Sequence, residues 1–274
     1  MKPNQHSKML NVSESKAFIQ PSIDGLFTEI KYYLYPSYRY LQGNCHCNAH
    51  LSSLLLKKRE IPHKKIWVFA PCRYSESSNE VFRIQDPNHI APRGYIRWGY
   101  HVAPLIQIGA QELIFDFNFS EYAPLSREEW LAHLNTQAYR CIVEAPENFL
   151  FYSSPSLKKP GKSLFNGDFY SVEGDCLENK WLEKGLAVNE TALLMHEEVI
   201  KRALKNHAGA SLINDYKFLI GSINNFECVF RDRSFNKRMT PEFQEKHYDL
   251  IHYYRGIFED NVEKWSKLIK EITE

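Results

Sequence analysis

At Gly43 the chain changes texture abruptly. The small and polar run Gly43-Asn44-Cys45-His46-Cys47-Asn48-Ala49-His50-Leu51 passes straight into Ser52-Ser53-Leu54-Leu55-Leu56. Such a transition predicts a helix over residues 46–59, with Cys45 or Cys47 at its N-terminus. The unpaired amides of a first helical turn and the helix dipole both favour negative charge. A thiol with an ordinary pKa near ~8.5 can fall to roughly 3.5–7.5 in such a place. The stretch therefore points to a cysteine nucleophile.

A nucleophile of this kind needs a base, and the chain offers one downstream. Residues Arg97 to Ile106 read as a half-buried strand carrying His101, and after the turn signal Gly109-Ala110 comes the apolar stretch Leu113-Ile114-Phe115-Asp116-Phe117 with a single carboxylate. If the two pair as a hairpin, Asp116 can face and orient the imidazole. Cysteine, histidine and aspartate in this chain order suit acyl transfer by a thiol, with the histidine taking the thiol proton and later giving one to the leaving group.

These residues carry a resemblance. Gly-x-Cys-x-x-x-Ala-His opening a helix, then Trp-x-Tyr-His-Val-Ala, then an apolar strand ending in Asp, resembles the bacterial protein-glutaminases, cysteine enzymes that deamidate glutamine side chains within proteins. The family's nucleophile lies five residues before a histidine, which selects Cys45, with His50 in that place, over Cys47. His101 then matches the base and Asp116 the orienting acid. Phe149 to Ser156 resembles the strand that closes the family's domain. The similarity spans roughly residues 40–156. The chain departs from the pattern at Asn48, where the family has arginine, in the extra thiol Cys47, and at Phe117-Asn118, where the family has a proline after the acid. Known members are commonly secreted and disulfide-containing.

The expected fold is α+β: a papain/transglutaminase-like catalytic domain, its nucleophile helix packed on an antiparallel sheet, followed by a C-terminal α-helical bundle. The division expected is a loose arm over 1–22, the catalytic domain over 23–156, a proline- and glycine-bearing linker over 157–180, and a helical region over 181–274. Within it the patterning predicts a helix over 24–34, ended by Pro36, and a buried strand over 65–70. The long connection 71–96 has one edge strand at 81–84. Ser126 and Glu129 form a capping box, and strands follow at 139–144 and 149–152. Helices are expected over 189–204 and 211–226, and a long one opens at Thr240-Pro241.

Asn44, His46, Trp98 and Tyr100 flank the three site residues and are the candidate substrate contacts. Trp98 and Tyr100 alternate with His101, which puts them on the opposite face of a regular strand, where core packing is the simpler role. His50 reads as structural. A zinc reading of Cys45, His46, Cys47 and His50 is set aside, because Cys-x-Cys is tighter than ligand spacing with two to four intervening residues and no comparable cluster exists elsewhere. No metal or organic cofactor is called for.

Lys plus Arg number 34 and Asp plus Glu 33, so no polyanion-binding field is implied and nucleic acid is not an expected partner. The partner expected is a protein substrate with an accessible glutamine, with a further partner conceivable on the C-terminal helices. The six cysteines, Cys45, Cys47, Cys72, Cys141, Cys176 and Cys228, are irregularly spread over a chain too large to need staples, which favours reduced thiols. No apolar h-region follows Met1-Lys2-Pro3, and no apolar run approaches a membrane span. The protein is expected to be cytoplasmic or exported without a classical signal peptide. The second is preferred, as an effector or toxin acting in a target cell, because deamidating its own cell's proteins would be hazardous. Transglutaminase or papain-like peptidase activity uses the same three residues, and a non-catalytic interaction protein on the same fold is the remaining alternative.

Overall fold

The computed structural model describes residues 22–75, 77–87, 91, 94–152, 168–223 and 239–274. The expected N-terminal arm up to residue 21, the stretch Ser153 to Ser156, residues 157–167 of the expected linker, and Cys228 lie outside the described residues.

Helix α1 (Ile23–Leu34) is opened by Ser22, whose hydroxyl accepts from the Gly25 amide at 3.1 Å. It buries Leu26, Phe27, Ile30 and Leu34 along one face, the helical spacing that creates an apolar stripe. Helix α2 (Cys45–Lys58) follows. Asn44 precedes it at φ 59°, a left-handed conformation that asparagine tolerates better than most residues. Strands β1 (Lys64–Phe69), β4 (Tyr100–Ile108), β5 (Gln111–Ile114), β6 (Leu125–Ser126) and β7 (Arg140–Glu144) form one sheet in the order β6-β5-β4-β1-β7. Every pairing in it is antiparallel. Two smaller antiparallel pairs stand apart: β2 (Phe82–Gln85) with β3 (Tyr95–Trp98), and β8 (Leu150–Tyr152) with β9 (Asp168–Tyr170). Helix α3 (Arg127–Ala132) starts at the capping box of Ser126 and Glu129.

Two expectations change here. The single strand expected over 97–106 is two strands, β3 and β4, interrupted at Gly99. Arg73 lies where a Gly99 side chain would be, with Nε 2.5 Å from the position a Cβ would take. The stretch expected as a linker also holds structure: β9 pairs with β8, and α4 (Asp175–Glu178) follows.

The C-terminal helices are α5 (Trp181–Met195), continued through a π-helical turn His196–Ile200 into α6 (Lys201–Lys205), then α7 (Ala210–Ile223), α8 (Pro241–Lys246) and α9 (Tyr248–Thr273). Thr240 caps α8 as expected, its hydroxyl accepting from the Phe243 amide at 3.2 Å, but the long helix expected from there is divided at His247 into α8 and α9. They do not form a separate core. One apolar cluster runs from Leu26 and Phe27 of α1 through Leu51 and Leu55 of α2 to Leu186 of α5 and Trp265 of α9. A second cluster, with Ile66, Val68, Leu105, Ile114 and Trp130, joins the sheet to α3. Among the described residues no helix is long and apolar enough to cross a membrane, and no disulfide joins the described cysteines.

Candidate active site

His101 is opposite Val68 in the β1–β4 ladder, one residue from its last pair, Phe69 with Tyr100. Its position at this end of the sheet brings it to the start of α2. Asp116 lies two residues beyond β5, with Phe115 still tied to β4 by its amide, which donates to the Pro104 carbonyl at 3.0 Å. The hairpin thus delivers the carboxylate to the imidazole. His101 Nε2 and Asp116 Oδ2 are 2.6 Å apart, with the two side chains 0% and 4% exposed.

The other ring nitrogen has a different neighbour. Nδ1 is buried and has no hydrogen-bond partner, and the Cys45 side chain is near enough to the imidazole to favour its charged form. Cys45 is thus a neighbour of the imidazole that Asp116 holds, although no hydrogen bond joins the thiol to Nδ1. Burial opposes charge on His101, but the Asp116 carboxylate outweighs it and Cys45 adds to the effect, raising its pKa to about 10. Burial would likewise raise the Asp116 carboxyl. His101, the Trp130 indole and the Asn118 amide together hold it below the ordinary value instead.

Trp130 was not singled out in the sequence. Its Nε1 donates to Asp116 Oδ2 at 2.6 Å, and the Asn118 amide donates to Oδ1 at 3.0 Å. With His101 these donors make three bonds to one carboxylate. Trp98 is not on the face opposite His101: the two rings stack with centroids 4.3 Å apart, because the break at Gly99 ends the regular alternation on which that expectation rested. Trp98 is 6% exposed and spends its N–H on the Leu41 carbonyl at 2.7 Å. It walls the imidazole. Tyr100 does face the other way, packing against Trp67 and Phe69, with its hydroxyl 3.4 Å from His46 Nδ1.

The two thiols of α2 part company. Cys45 is half-buried, whereas Cys47 is 0% exposed and lies against α5, its sulfur 2.2 Å from where a Cβ on Gly185 would stand. Burial pushes the Cys47 thiol up. Among the described residues no group of three or more His, Cys, Asp or Glu side chains is arranged to hold a metal ion. His46 packs edge-on to Phe149, as does His50, and burial followed by the charge of Lys65 lowers the His46 pKa to about 3. His50 accepts from the buried Lys65 ammonium, its Nδ1 2.8 Å from Nζ.

The start of α2 is held from an unexpected quarter. The Asn44 amide donates to Asn189 Oδ1 at 3.0 Å, Asn189 donates to Ser37 Oγ at 3.0 Å, and Ser37 donates to Asn48 Oδ1 at 2.8 Å. A chain of buried polar groups thus ties the Cys45 turn to α5. Asn44 makes no side-chain cap on its own helix.

Residues 23–134 match a family model described as Glutaminase. Among solved structures, the chain is similar to protein-glutaminase from Chryseobacterium proteolyticum, determined by NMR, with a TM-score of 0.41 and 18% identity over 62% of this chain and 85% of that one. A crystal structure of protein-glutaminase is similar with a TM-score of 0.42 and 16% identity, covering 63% of this chain and 85% of that one. No curated protein matches.

Proposed function

We propose, from the match of residues 23–134 to a family model described as Glutaminase, that this chain is a cysteine-dependent amidohydrolase converting glutamine side chains of proteins to glutamate. The observation that carries the reading is the imidazole of His101, bonded through Nε2 to Asp116 at 2.6 Å, with Cys45 near enough to favour its charged form.

In this reading the Cys45 thiolate attacks the side-chain amide carbon. His101 protonates the departing ammonia, leaving a thioester on Cys45. A water then gives a proton to His101 and adds to the thioester carbonyl, and collapse releases glutamate and the thiolate. Asp116 keeps the hydrogen on Nε2, which aims Nδ1 at the sulfur. The amides of Cys45 and His46, left without a side-chain cap at the start of α2, are the donors available to the oxyanion, each worth about 3 kcal/mol in such a role.

Transamidation shares the first half-reaction, and proteolysis by the same residues would cut the backbone. The test is incubation of glutamine-bearing proteins with wild type and Cys45→Ala, followed by ammonia release and peptide mass mapping. Ammonia together with Glu in place of Gln, lost in Cys45→Ala, is expected. A joined amine or a cut chain would reassign the reaction, and equal activity in the variant would remove the nucleophile. Action as an exported effector follows from the hazard of such an activity to its own cell. Retention of tagged protein in the producing cell would count against that part alone.

A further inference from the structure

The β2–β3 pair has two unlike faces. Phe82, Ile84, Ile96 and Trp98 are buried on one, where Trp98 lies against the His101 imidazole. Arg83 and Arg97 alternate with them and are exposed on the other. The register sets these two arginines directly opposite each other, which brings their Cβ atoms to about 5 Å. Arg83 also lies over the Tyr95 ring, 5.6 Å from its centroid.

Like charges directly across a strand pair are destabilising. A carboxylate would relieve the pair, yet among the described residues neither guanidinium has an ion-pair partner. The acids flanking β2 do not serve: Asp86 is 2% exposed and accepts from the Ala91 amide at 2.6 Å, and the exposed Glu80 acts on Tyr74.

The positive charge continues towards the cysteine. Arg73 packs across Gly99, between β3 and β4, with its guanidinium 5.7 Å from the Tyr100 ring centroid. Burial raises the Cys72 thiol, and the charges of Arg73 and Arg97 both oppose that rise, so the two arginines flank one side chain. Tyr100 and Cys45 in turn pack against one apolar cluster. Arg83, Arg97 and Arg73 thus lead from the open face of β2–β3 to the edge of the cysteine centre.

We propose that this face docks an acidic segment of the protein substrate, its carboxylates bridging Arg83 and Arg97, so that glutamines beside acidic residues are preferred. The choice of partner rests on the deamidase reading. A guanidinium matches a carboxylate through two parallel N–H bonds. With 34 basic against 33 acidic side chains in the whole chain, the charge is a local patch and not a field suited to nucleic acid.

The probes are three labelled peptides, each with one central glutamine flanked on both sides by glutamate, serine or lysine, and a single-stranded RNA of the same length. Fluorescence anisotropy with Cys45→Ala, which holds peptides without turning them over, should rank glutamate above serine above lysine, with the preference fading at high salt. Adding Arg83→Gln and Arg97→Gln should weaken the glutamate peptide about fivefold. Adding Lys267→Gln and Lys270→Gln instead, which removes the same charge from exposed positions on α9, should leave it unchanged. Equal binding of the three peptides, or equal losses in the two double variants, would overturn the proposal, and tighter binding of RNA than of the glutamate peptide would reassign the face to nucleic acid. Ammonia release by wild type is read separately. Arginine-dependent binding of the glutamate peptide with no ammonia from any peptide would refute the deamidase reading and leave the docking face standing.

Discussion

The Trp130→Phe substitution isolates one bond in the candidate active site. The indole donates to Asp116 Oδ2 at 2.6 Å, and the two residues are 0% and 4% exposed. A hydrogen bond to a buried charged group contributes about 1.5–3 kcal/mol. The smaller ring also leaves a void, which costs about 1 kcal/mol. The total at pH 7 is about 3 kcal/mol, enough to lower a urea midpoint by roughly 1 M at an m value near 3 kcal/mol/M.

The two parts separate by pH. The Asp116 carboxyl is held below its ordinary value in the fold. A depressed acid contributes stability that is fully present above the unfolded pKa of ~3.9 and is lost as pH falls through the folded one. Removing the indole brings the folded pKa back up. The gap between wild type and variant should therefore be widest at pH 5 and above, and should narrow below about pH 4 towards the cost of the void and of a neutral hydrogen bond. The assay is urea unfolding followed by far-UV circular dichroism, since the substitution changes fluorescence, from pH 7 to the lowest pH at which both proteins fold. A gap that stays constant over this range would show that Trp130 supplies volume alone, and the account of Asp116 would fail with it.

Two further outcomes follow from the same geometry. The raised pKa of His101, about 10, contributes stability that is complete below the unfolded value of ~6.5 and fades as pH rises towards 10. Melting temperatures from pH 6 to 10 should fall more steeply in wild type than in His101→Gln, and parallel curves would contradict the buried pair. Gly185→Ala should destabilise by about 1–3 kcal/mol through overpacking, because the new methyl meets Cys47 Sγ at 2.2 Å. In a double-mutant cycle Cys47→Ala should recover much of that loss while leaving ammonia release intact, and strict additivity of the two changes would refute the contact.

The parts of the structure legible in the sequence are those governed by local patterning. The helix over α2 was readable from the run of leucines behind Cys45, the capping box from Ser126 and Glu129, and the α8 start from Thr240-Pro241. The hairpin that carries His101 and Asp116 could be guessed because a turn signal separates two apolar runs. Its detail could not. A single glycine with Arg73 packed over it splits one expected strand into two, and that break turns Trp98 onto the imidazole. Trp130 was hidden for a related reason: an aromatic on an amphipathic helix reads as core, and it is core, but its one polar atom finds a carboxylate 14 positions away.

The last third of the chain shows what spacing alone leaves open. Its helices are amphipathic, and periodicity says that a face is buried without saying against what. Two positions disclose the partner. Gly185 is the gap in α5 into which the Cys47 sulfur fits, and Asn189, one turn later and 0% exposed, holds the side chain that precedes Cys45. A buried asparagine bonded at both ends is costly to leave half-paired, so α5 has one register against α2. In a helix that only filled space, small apolar residues would serve at both positions. The cysteine turn and α5 therefore order each other, and the helical third of the chain is packed into the same core as α2.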